Sequence, residues 1–128
     1  MTPSRTLTMP PITRKTLAEF AEASGDHNPI HLDPEAARAS GLDDVIAHGM
    51  LLAAYAGRAV EAVYPDCDIR DFSIRFTRTG RIGDVITVAV MSRKAGNDGE
   101  HLEVWAVDQN GEVKLEAELS IAARHKGA

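Results

Sequence analysis

Residues 49–63 contain the stretch that most constrains how this chain can fold. The run reads GMLLAAYAGRAVEAV, and positions 50–56 are all apolar. A helix built from it has no polar face over its first two turns, so it has to be covered on every side. Because the chain has only 128 residues, a single core has to provide that cover. We therefore expect one domain spanning residues 1–128.

The sequence after Pro65 changes to a period of two, which is typical of strands with one buried face. Three runs follow this pattern, at residues 72–77, 102–107 and 113–122, and residues 85–91 form a near-continuous apolar strand run. The turn sequences Asn97-Asp98-Gly99 and Asn110-Gly111 predict hairpins between neighbouring runs. In the last run Lys114 alternates with apolar positions, so we expect it on the wetter face. The pattern predicts an α+β fold, an antiparallel sheet wrapped around a long buried central helix.

The half of the chain before this helix is typical of short elements joined by polar loops. We expect an edge strand at residues 4–9 and a helix capped by Thr13 and stopped by Gly25. A second short helix should begin after Asp33, with Pro34 at its first position. On the sheet, Trp105 and Val107 fall on the outward parity. An apolar outer patch of this kind indicates contact with a partner subunit.

The net charge and its distribution along the chain indicate which partners to expect. The chain has 14 basic and 19 acidic residues, a net charge of −5, which argues against nucleic-acid binding. Residues 69–94 nevertheless carry +4, leaving −9 for the rest. This segment is either an ordinary solvated sheet face or an anchor for an anionic small molecule.

With one cysteine and no run of about 18 apolar residues, we expect a cytoplasmic protein without a membrane span.

The segment Ser24-Gly25-Asp26-His27-Asn28-Pro29-Ile30-His31 carries the residue types of acid–base chemistry. Pro29 disfavours a helix here, and a turn could bring Asp26 and His31 onto one side, where they could hold a water. The alternative is that Asp26 only builds a turn and His31 packs in the core. His27 and His31 have the spacing of a two-histidine metal site on a helix, but Pro29 lies between them, so we expect no metal.

The pair His48-Gly49 stands where the apolar helix should begin. The first turn of a helix has unpaired backbone N–H groups, and Gly49 has no side chain to block a ligand approaching them. Such an amide can stabilise an oxygen that becomes negative during a reaction. The alternative is that Gly49 only permits a tight junction between loop and helix.

Together these segments resemble a known family. The run GDHNPIH, followed 17 residues after His31 by His48-Gly49-Met50, resembles the MaoC-like family of (R)-specific enoyl thioester hydratases and dehydratases. The resemblance extends from about residue 12 to residue 122, and it implies a hot-dog fold over residues 1–128. It also implies that Asp26 and His31 hold the catalytic water, that Asn28 supports the loop, and that Gly49 offers its N–H to the thioester oxygen.

The implied reaction is the reversible hydration of trans-2-enoyl thioesters to (R)-3-hydroxyacyl thioesters. The substrate is carried on coenzyme A or acyl carrier protein, and the resemblance implies no metal or redox cofactor. It also implies a dimer, either of two identical chains or with a second hot-dog chain. Arg75, Arg78 and Arg81 are candidates for holding the coenzyme A phosphates. One departure is that residues 51–54, Leu-Leu-Ala-Ala, lack the serine that some family members have near the site.

Three other functions remain open on the sequence. A hot-dog thioesterase would usually have an acid on the central helix, and the first one here is Glu61, late in the helix. A non-catalytic subunit of a heterodimeric hydroxyacyl dehydratase would only shape its partner's acyl tunnel. A ligand-binding module would bind without turnover.

Overall fold

A computed structural model describes residues 5–96 and 99–124 of the chain. Four helical elements occur in these ranges: α1 (Arg14–Ser24), a single 3₁₀ turn (Pro29–His31), α2 (Pro34–Ala39) and α3 (Gly49–Val63). The strands are β1 (Arg5–Thr8), β2 (Cys67–Phe76), β3 (Thr87–Gly96), β4 (Gly99–Val107) and β5 (Val113–Ala123). Asn97 and Asp98 of the first predicted hairpin lie outside the described residues, and Gly96 pairs with Gly99 on either side of them.

The strands form one antiparallel sheet in the order β1-β3-β4-β5-β2. This order puts β1 and β2 at the two edges, so β2 pairs with the last strand, β5, and not with β3. The sheet curls around α3, which is the arrangement of the hot-dog fold. The predicted fold class, an α+β protein with a sheet wrapped around a long buried helix, is confirmed.

Helix α3 is the centre of the core. Its buried side chains face a layer of aliphatic side chains from β3, β4 and β5. Each fully buried Val, Leu or Ile contributes about 1.5–3 kcal/mol through removal of its apolar surface from water. The helical side of this core consists of Leu51, Leu52, Ala53, Ala56, Ala59 and Val60, and the sheet side includes Val88, Val90, Leu102, Val104, Ala106, Leu115, Ala117, Leu119 and Ile121.

The caps of α1 decide where the chain turns toward the centre of the molecule. Thr13 accepts a hydrogen bond from the Thr16 amide, and the Thr16 side chain accepts one from the Thr13 amide, as a capping box does. At the other end Gly25 adopts φ = 79°, a left-handed conformation that favours glycine, and its N–H donates to Ala21 O. The helix therefore stops directly before Asp26.

Lys114 is buried, so its expected place on the wetter face is wrong. Its ammonium donates hydrogen bonds to Thr79 O (3.0 Å) and Glu112 Oε1 (2.7 Å). It also lies 3.6 Å from carboxylate oxygens of both Asp84 and Asp108. Burial alone would lower the pKa of Lys114, but the hydrogen bond with Glu112 and the three carboxylates outweigh it and raise the pKa. Lys114 is thus the charged centre of a buried cluster beneath the loop that follows β2.

The apolar outer patch expected at Trp105 is largely covered. Trp105 is half-buried, and its Nε1–H donates to Glu103 Oε1 (2.9 Å). Within the described ranges the large apolar side chains that are most exposed lie elsewhere: Leu32 (38%), Met50 (59%) and Phe76 (50%). Met50 belongs to α3 and Phe76 to β2. Phe76 lies at an edge of the sheet that has no neighbouring strand in the single chain.

No helix in the described part of the chain has the length and apolar character needed to cross a membrane.

Candidate active site

The loop after α1 is built by side chains that bond to nearby backbone. Asp26 Oδ1 accepts a hydrogen bond from the Asn28 amide, and Asn28 Oδ1 accepts one from the Ile30 amide, each at 3.2 Å. Pro29 then starts the single 3₁₀ turn Pro29–His31, with Asn28 as its cap. These bonds bring Asp26 and His31 to the same side of the loop. The turn predicted from Asp26, Asn28 and Pro29 is confirmed, and Asn28 is the residue that connects its two halves.

A hydrogen bond to the main chain fixes the tautomer of His31, that is, which ring nitrogen carries the proton. Its side chain is 9% exposed, and Nδ1 lies 2.7 Å from the carbonyl oxygen of Ile46. Because a carbonyl only accepts hydrogen bonds, the proton is on Nδ1 and the lone pair of neutral His31 is on Nε2. That free Nε2 lies 3.9 Å from Asp26 Oδ2. The ring therefore presents a basic nitrogen to the carboxylate.

The gap between Asp26 and His31 suits a bridging water. At 3.9 Å the two atoms are too far apart for a direct hydrogen bond and close enough for one water oxygen to contact both. Asp26 is half-exposed (52%) while His31 is buried, so the pair lies at the boundary between solvent and interior. Two proton acceptors around one water can orient that water and remove its proton.

His48 is the part of this cluster that the sequence reasoning missed as a site residue. Its side chain is buried, and its ring stacks on His31 with centroids 3.9 Å apart. Its Nε2–H donates to the backbone carbonyl of Asp26 (3.0 Å), and burial, chiefly, holds the pKa of His48 below its ordinary value. The available signal was its position directly before Gly49, at the end of the segment that returns to the loop.

Asp26, His31 and His48 are also residue types that bind metals, and their donor atoms lie within 4.8 Å of one another. A shared ion requires the in-plane lone pairs of both rings to point at one position, about 2.0–2.1 Å from each nitrogen. The two rings are stacked with centroids 3.9 Å apart and planes at only 24° to each other. Their in-plane lone pairs therefore lie in nearly parallel planes and do not converge on one position. The geometry suits an acid–base site better than a metal site.

Gly49 begins α3, as predicted. Within residues 5–96 and 99–124, no backbone or side-chain acceptor pairs with its amide, whereas the Leu51 amide donates to His48 O (3.1 Å). Gly49 and His31 line the same cavity of about 300 Å³. A Cβ at Gly49 would lie 3.1 Å from the Phe76 ring. Glycine thus allows that ring to pack closely over the start of the helix.

The structure separates the three candidate phosphate-binding arginines. Arg78 lines the cavity of His31 and Gly49. Arg75 forms an ion pair with Glu116 (2.7 Å), its cross-strand neighbour on β5. Arg81 lines a different depression, beside Asp43 and Asp44. The +4 segment is therefore not one anchor, because β2 and the loop after it carry these side chains to three places.

A larger apolar groove runs along the open face of α3. Its volume is about 640 Å³, and its lining residues are Phe20, Ser24, Met50, Ala53, Ala54, Gly57, Phe72 and Ile74. The groove begins near the acid–base cluster, because the Phe20 ring meets the His48 ring edge-on at 4.9 Å and Met50 follows Gly49. Small side chains on α3 keep it open.

Comparisons with known proteins identify relatives of this chain. A UPF0336 protein of Streptomyces avermitilis is 39% identical over 126 residues, covering 88% of this chain and 84% of that protein. The 3-hydroxyacyl-thioester dehydratase X of Mycobacterium tuberculosis is 45% identical over 67 residues, which are 52% of this chain and 23% of that protein. The structure of R-hydratase PhaJ1 from Pseudomonas aeruginosa superposes with a TM-score of 0.81 at 26% identity, covering 98% of this chain and 84% of that one.

The family comparison covers most of the chain, including the loop with Asp26 and His31, helix α3 and strands β1–β4. The sequence model of the family described as "MaoC like domain" matches residues 2–114. The match ends near the start of β5, which pairs with β4 and β2 in the same sheet. The chain belongs to the MaoC-like domain family.

Proposed function

We propose that this protein catalyses the reversible hydration of trans-2-enoyl thioesters to (R)-3-hydroxyacyl thioesters, with the acyl group carried on coenzyme A or acyl carrier protein. One observation carries the proposal. The Asp26 carboxylate faces the free Nε2 of His31 across 3.9 Å, beside a cavity that Gly49 also lines. The M. tuberculosis relative is named a 3-hydroxyacyl-thioester dehydratase and the P. aeruginosa protein an R-hydratase, and both names support a hydration or dehydration reaction.

In the proposed hydration step, Asp26 and His31 hold one water between them. The water oxygen forms a bond to C3 of the enoyl group while one water proton moves to the acid–base pair, with His31 Nε2 as its acceptor. The C2–C3 π electrons move toward the thioester carbonyl, and C2 then takes a proton from the same pair. The net result is addition of H and OH across the double bond, without a metal or redox cofactor. Such acid–base assistance typically accelerates a reaction by about 10²–10⁴.

The negative charge that develops on the thioester oxygen needs a donor. We assign this to the Gly49 N–H, which lies at the positive end of the α3 dipole. One such donor is typically worth about 10²–10³ in rate. The Ile46–His48 segment leads directly into this amide, and it also supplies the carbonyl that holds His31. The same short backbone segment therefore positions both the His31 ring and the Gly49 N–H.

The acyl chain is proposed to lie in the groove along α3. The groove is apolar, it begins beside the acid–base cluster, and its width depends on Ala53, Ala54 and Gly57. An alkyl chain in it gains about 0.8 kcal/mol for each buried methylene group. Chain-length preference then follows from how far the groove extends along the helix.

Two further parts of the proposal concern partners. Arg78 is our remaining candidate for the phosphates of coenzyme A, because it lines the catalytic cavity while Arg75 and Arg81 point elsewhere.

We also propose that the chain forms a dimer through the β2 edge, where Phe76 is half-exposed. A second, related chain in place of an identical one remains the alternative partner.

The test of this proposal is to add purified protein to enoyl-CoA substrates of increasing length, starting with crotonyl-CoA. We expect loss of the conjugated enoyl thioester, an (R)-3-hydroxyacyl product on chiral analysis, and no free thiol. Release of free thiol would instead identify a thioesterase. No change with any chain length would contradict the proposal and favour a binding module or a non-catalytic subunit.

A further inference from the structure

His48 is a buried histidine with one ring nitrogen hydrogen-bonded and the other unpaired among the described residues. Its side chain is 1% exposed, and Nε2–H donates to the carbonyl of Asp26. The other ring nitrogen, Nδ1, is buried without a hydrogen-bond partner in the described part of the chain. An unpaired buried polar atom is unfavourable for stability. A phenylalanine of similar shape would avoid that cost, so packing alone does not explain a histidine here.

The contacts of His48 reach both members of the proposed acid–base pair. Its ring lies against the His31 ring at 3.9 Å, and its N–H holds the backbone of Asp26. Phe20 of α1 closes the cluster from a third side with an edge-on contact. His48 therefore connects the loop at 26–31 to the start of α3, in addition to the hydrogen bond between His31 and the Ile46 carbonyl.

His48 is also continuous with the oxyanion donor. It is the N-cap residue of α3, and its carbonyl accepts the Leu51 amide, which fixes the first turn and with it the direction of the Gly49 N–H. A shift of His48 would move the base relative to that amide. Displacements of about 1 Å between reacting groups can reduce a rate by about 10²-fold.

We propose that His48 is the positioning residue of this site: it sets the separation of Asp26 and His31 through its hydrogen bond to Asp26 and its stacking on His31. The inference rests on the proposed function, but its geometric part applies without substrate. Burial, with the neighbouring His31 and His27, keeps the pKa of His48 low against the opposing effect of Asp26. A neutral His48 leaves His31 free to take the proton.

Two substitutions separate the contributions of His48. His48→Phe keeps a flat ring on His31 and removes the donor to Asp26. His48→Gln keeps an N–H donor at a similar reach and removes the ring. We expect His48→Phe to stay folded, because removal of the unpaired Nδ1 offsets part of the stability that is lost with the hydrogen bond to Asp26. Its kcat should fall by about 10- to 100-fold with little change in KM, which is the size of loss found when a residue that orients a metal ligand is replaced. His48→Gln should recover part of that loss.

The matched control is His101→Phe, which makes the same change at an exposed histidine on β4. It should keep the wild-type kcat. The proposal is overturned if His48→Phe is folded and has the kcat of the control.

A second readout distinguishes failure of this inference from failure of the proposed function. Nitrogen NMR of the imidazoles, without substrate, should show His31 protonated at Nδ1 in the wild type. In His48→Phe we expect the Ile46 carbonyl to keep this tautomer, while the His31 Nε2 signal shifts because Asp26 has moved relative to it, with His101 unaffected. If no enoyl thioester is hydrated but the His31 signals change, the function is wrong and the positioning role stands. If His31 is the same in both proteins, the positioning role is wrong, whatever the activity.

Discussion

At the scale of single residues, the chemistry of His31 depends on a main-chain atom 15 residues away. The Ile46 carbonyl holds Nδ1–H at 2.7 Å, and this leaves Nε2 as the nitrogen that can accept a proton. Asp26 faces that nitrogen, and Asn28 holds the turn that brings it there. Residues that touch no reacting atom therefore determine what His31 can do.

Arg78 gives a prediction at this scale. Arg78→Gln should raise KM for an acyl-CoA substrate several-fold with little change in kcat, because it removes a cation that would face the phosphates at the cavity. Steady-state kinetics measures this effect. Arg75→Gln is the control, since its guanidinium is engaged by Glu116 at 2.7 Å.

The same Arg78→Gln variant should lose nothing on an acyl-pantetheine substrate that has no phosphate groups. An equal rise in KM on both substrates would contradict phosphate binding, because the effect would then come from the shape of the cavity.

At the scale of elements, helix α3 has two roles on its two sides. One side provides Leu51, Leu52, Ala56 and Val60 to the core, and the other provides small residues to the apolar groove. The run at 50–56 predicted an apolar surface on every side of the helix, but the expected cover is incomplete, because Met50 and Ala54 are exposed in the single chain. A substitution at an exposed groove position should therefore alter substrate preference with little effect on stability.

Ala54 is such a position, because it is exposed and lines the groove. We expect Ala54→Phe to lower kcat/KM for long enoyl-CoA substrates at least tenfold while leaving crotonyl-CoA nearly unchanged. The ring would occupy the space of the distal methylene groups, each worth about 0.8 kcal/mol. Equal losses on short and long chains would show that the acyl group lies elsewhere.

The loop after β2 depends on Lys114. The ammonium bonds Thr79 O, and the Thr77 amide bonds the Lys114 carbonyl (3.0 Å). Lys114→Met should cost about 3–5 kcal/mol of unfolding free energy, because it leaves the buried carboxylates of Asp84 and Asp108 without their cation. Urea denaturation measures this, with the exposed Lys94→Met on β3 as control. A difference from the control below about 0.5 kcal/mol would contradict the role of the cluster.

These elements also show how far sequence reasoning reaches. The turn that brings Asp26 to His31 and the start of α3 at Gly49 were predictable, because their signals are local: a turn sequence, an apolar run and a glycine at its beginning. Lys114 was not, because its alternation with Leu115 and Glu116 is that of an exposed residue, and Asp84 and Asp108 come over it only in the folded sheet. His48 was missed for the same reason, since its partners Asp26 and His31 are distant in sequence.

At the scale of the whole molecule, the sheet has two open edges, β1 and β2. The two edges differ, because β1 has four residues whereas β2 has ten and ends at half-exposed Phe76. Long edge strands with apolar side chains tend to pair with another chain. The acidic surroundings of Trp105, with Glu103, Glu116 and Glu118 on that face, make the outer sheet surface a poorer candidate.

We predict that the wild-type protein sediments at about twice its chain mass of 13.8 kDa. Phe76→Glu should shift it toward the monomer, because a carboxylate would then face the partner chain at the β2 edge. Leu32→Glu is the matched control, since Leu32 is also an exposed apolar residue (38%) but lies outside β2. A monomeric wild type, or equal effects of both substitutions, would rule out dimerisation through β2.

The central claim is that Asp26 and His31 hydrate an enoyl thioester. The most direct measurement is the initial rate at which crotonyl-CoA loses its conjugated enoyl thioester with wild-type protein and with Asp26→Asn. Asp33→Asn makes the same change at an exposed aspartate that caps α2. We predict that Asp26→Asn is folded and slower by about 10²–10⁴, while Asp33→Asn matches the wild type. A folded Asp26→Asn protein that turns over crotonyl-CoA at the wild-type rate would contradict the account.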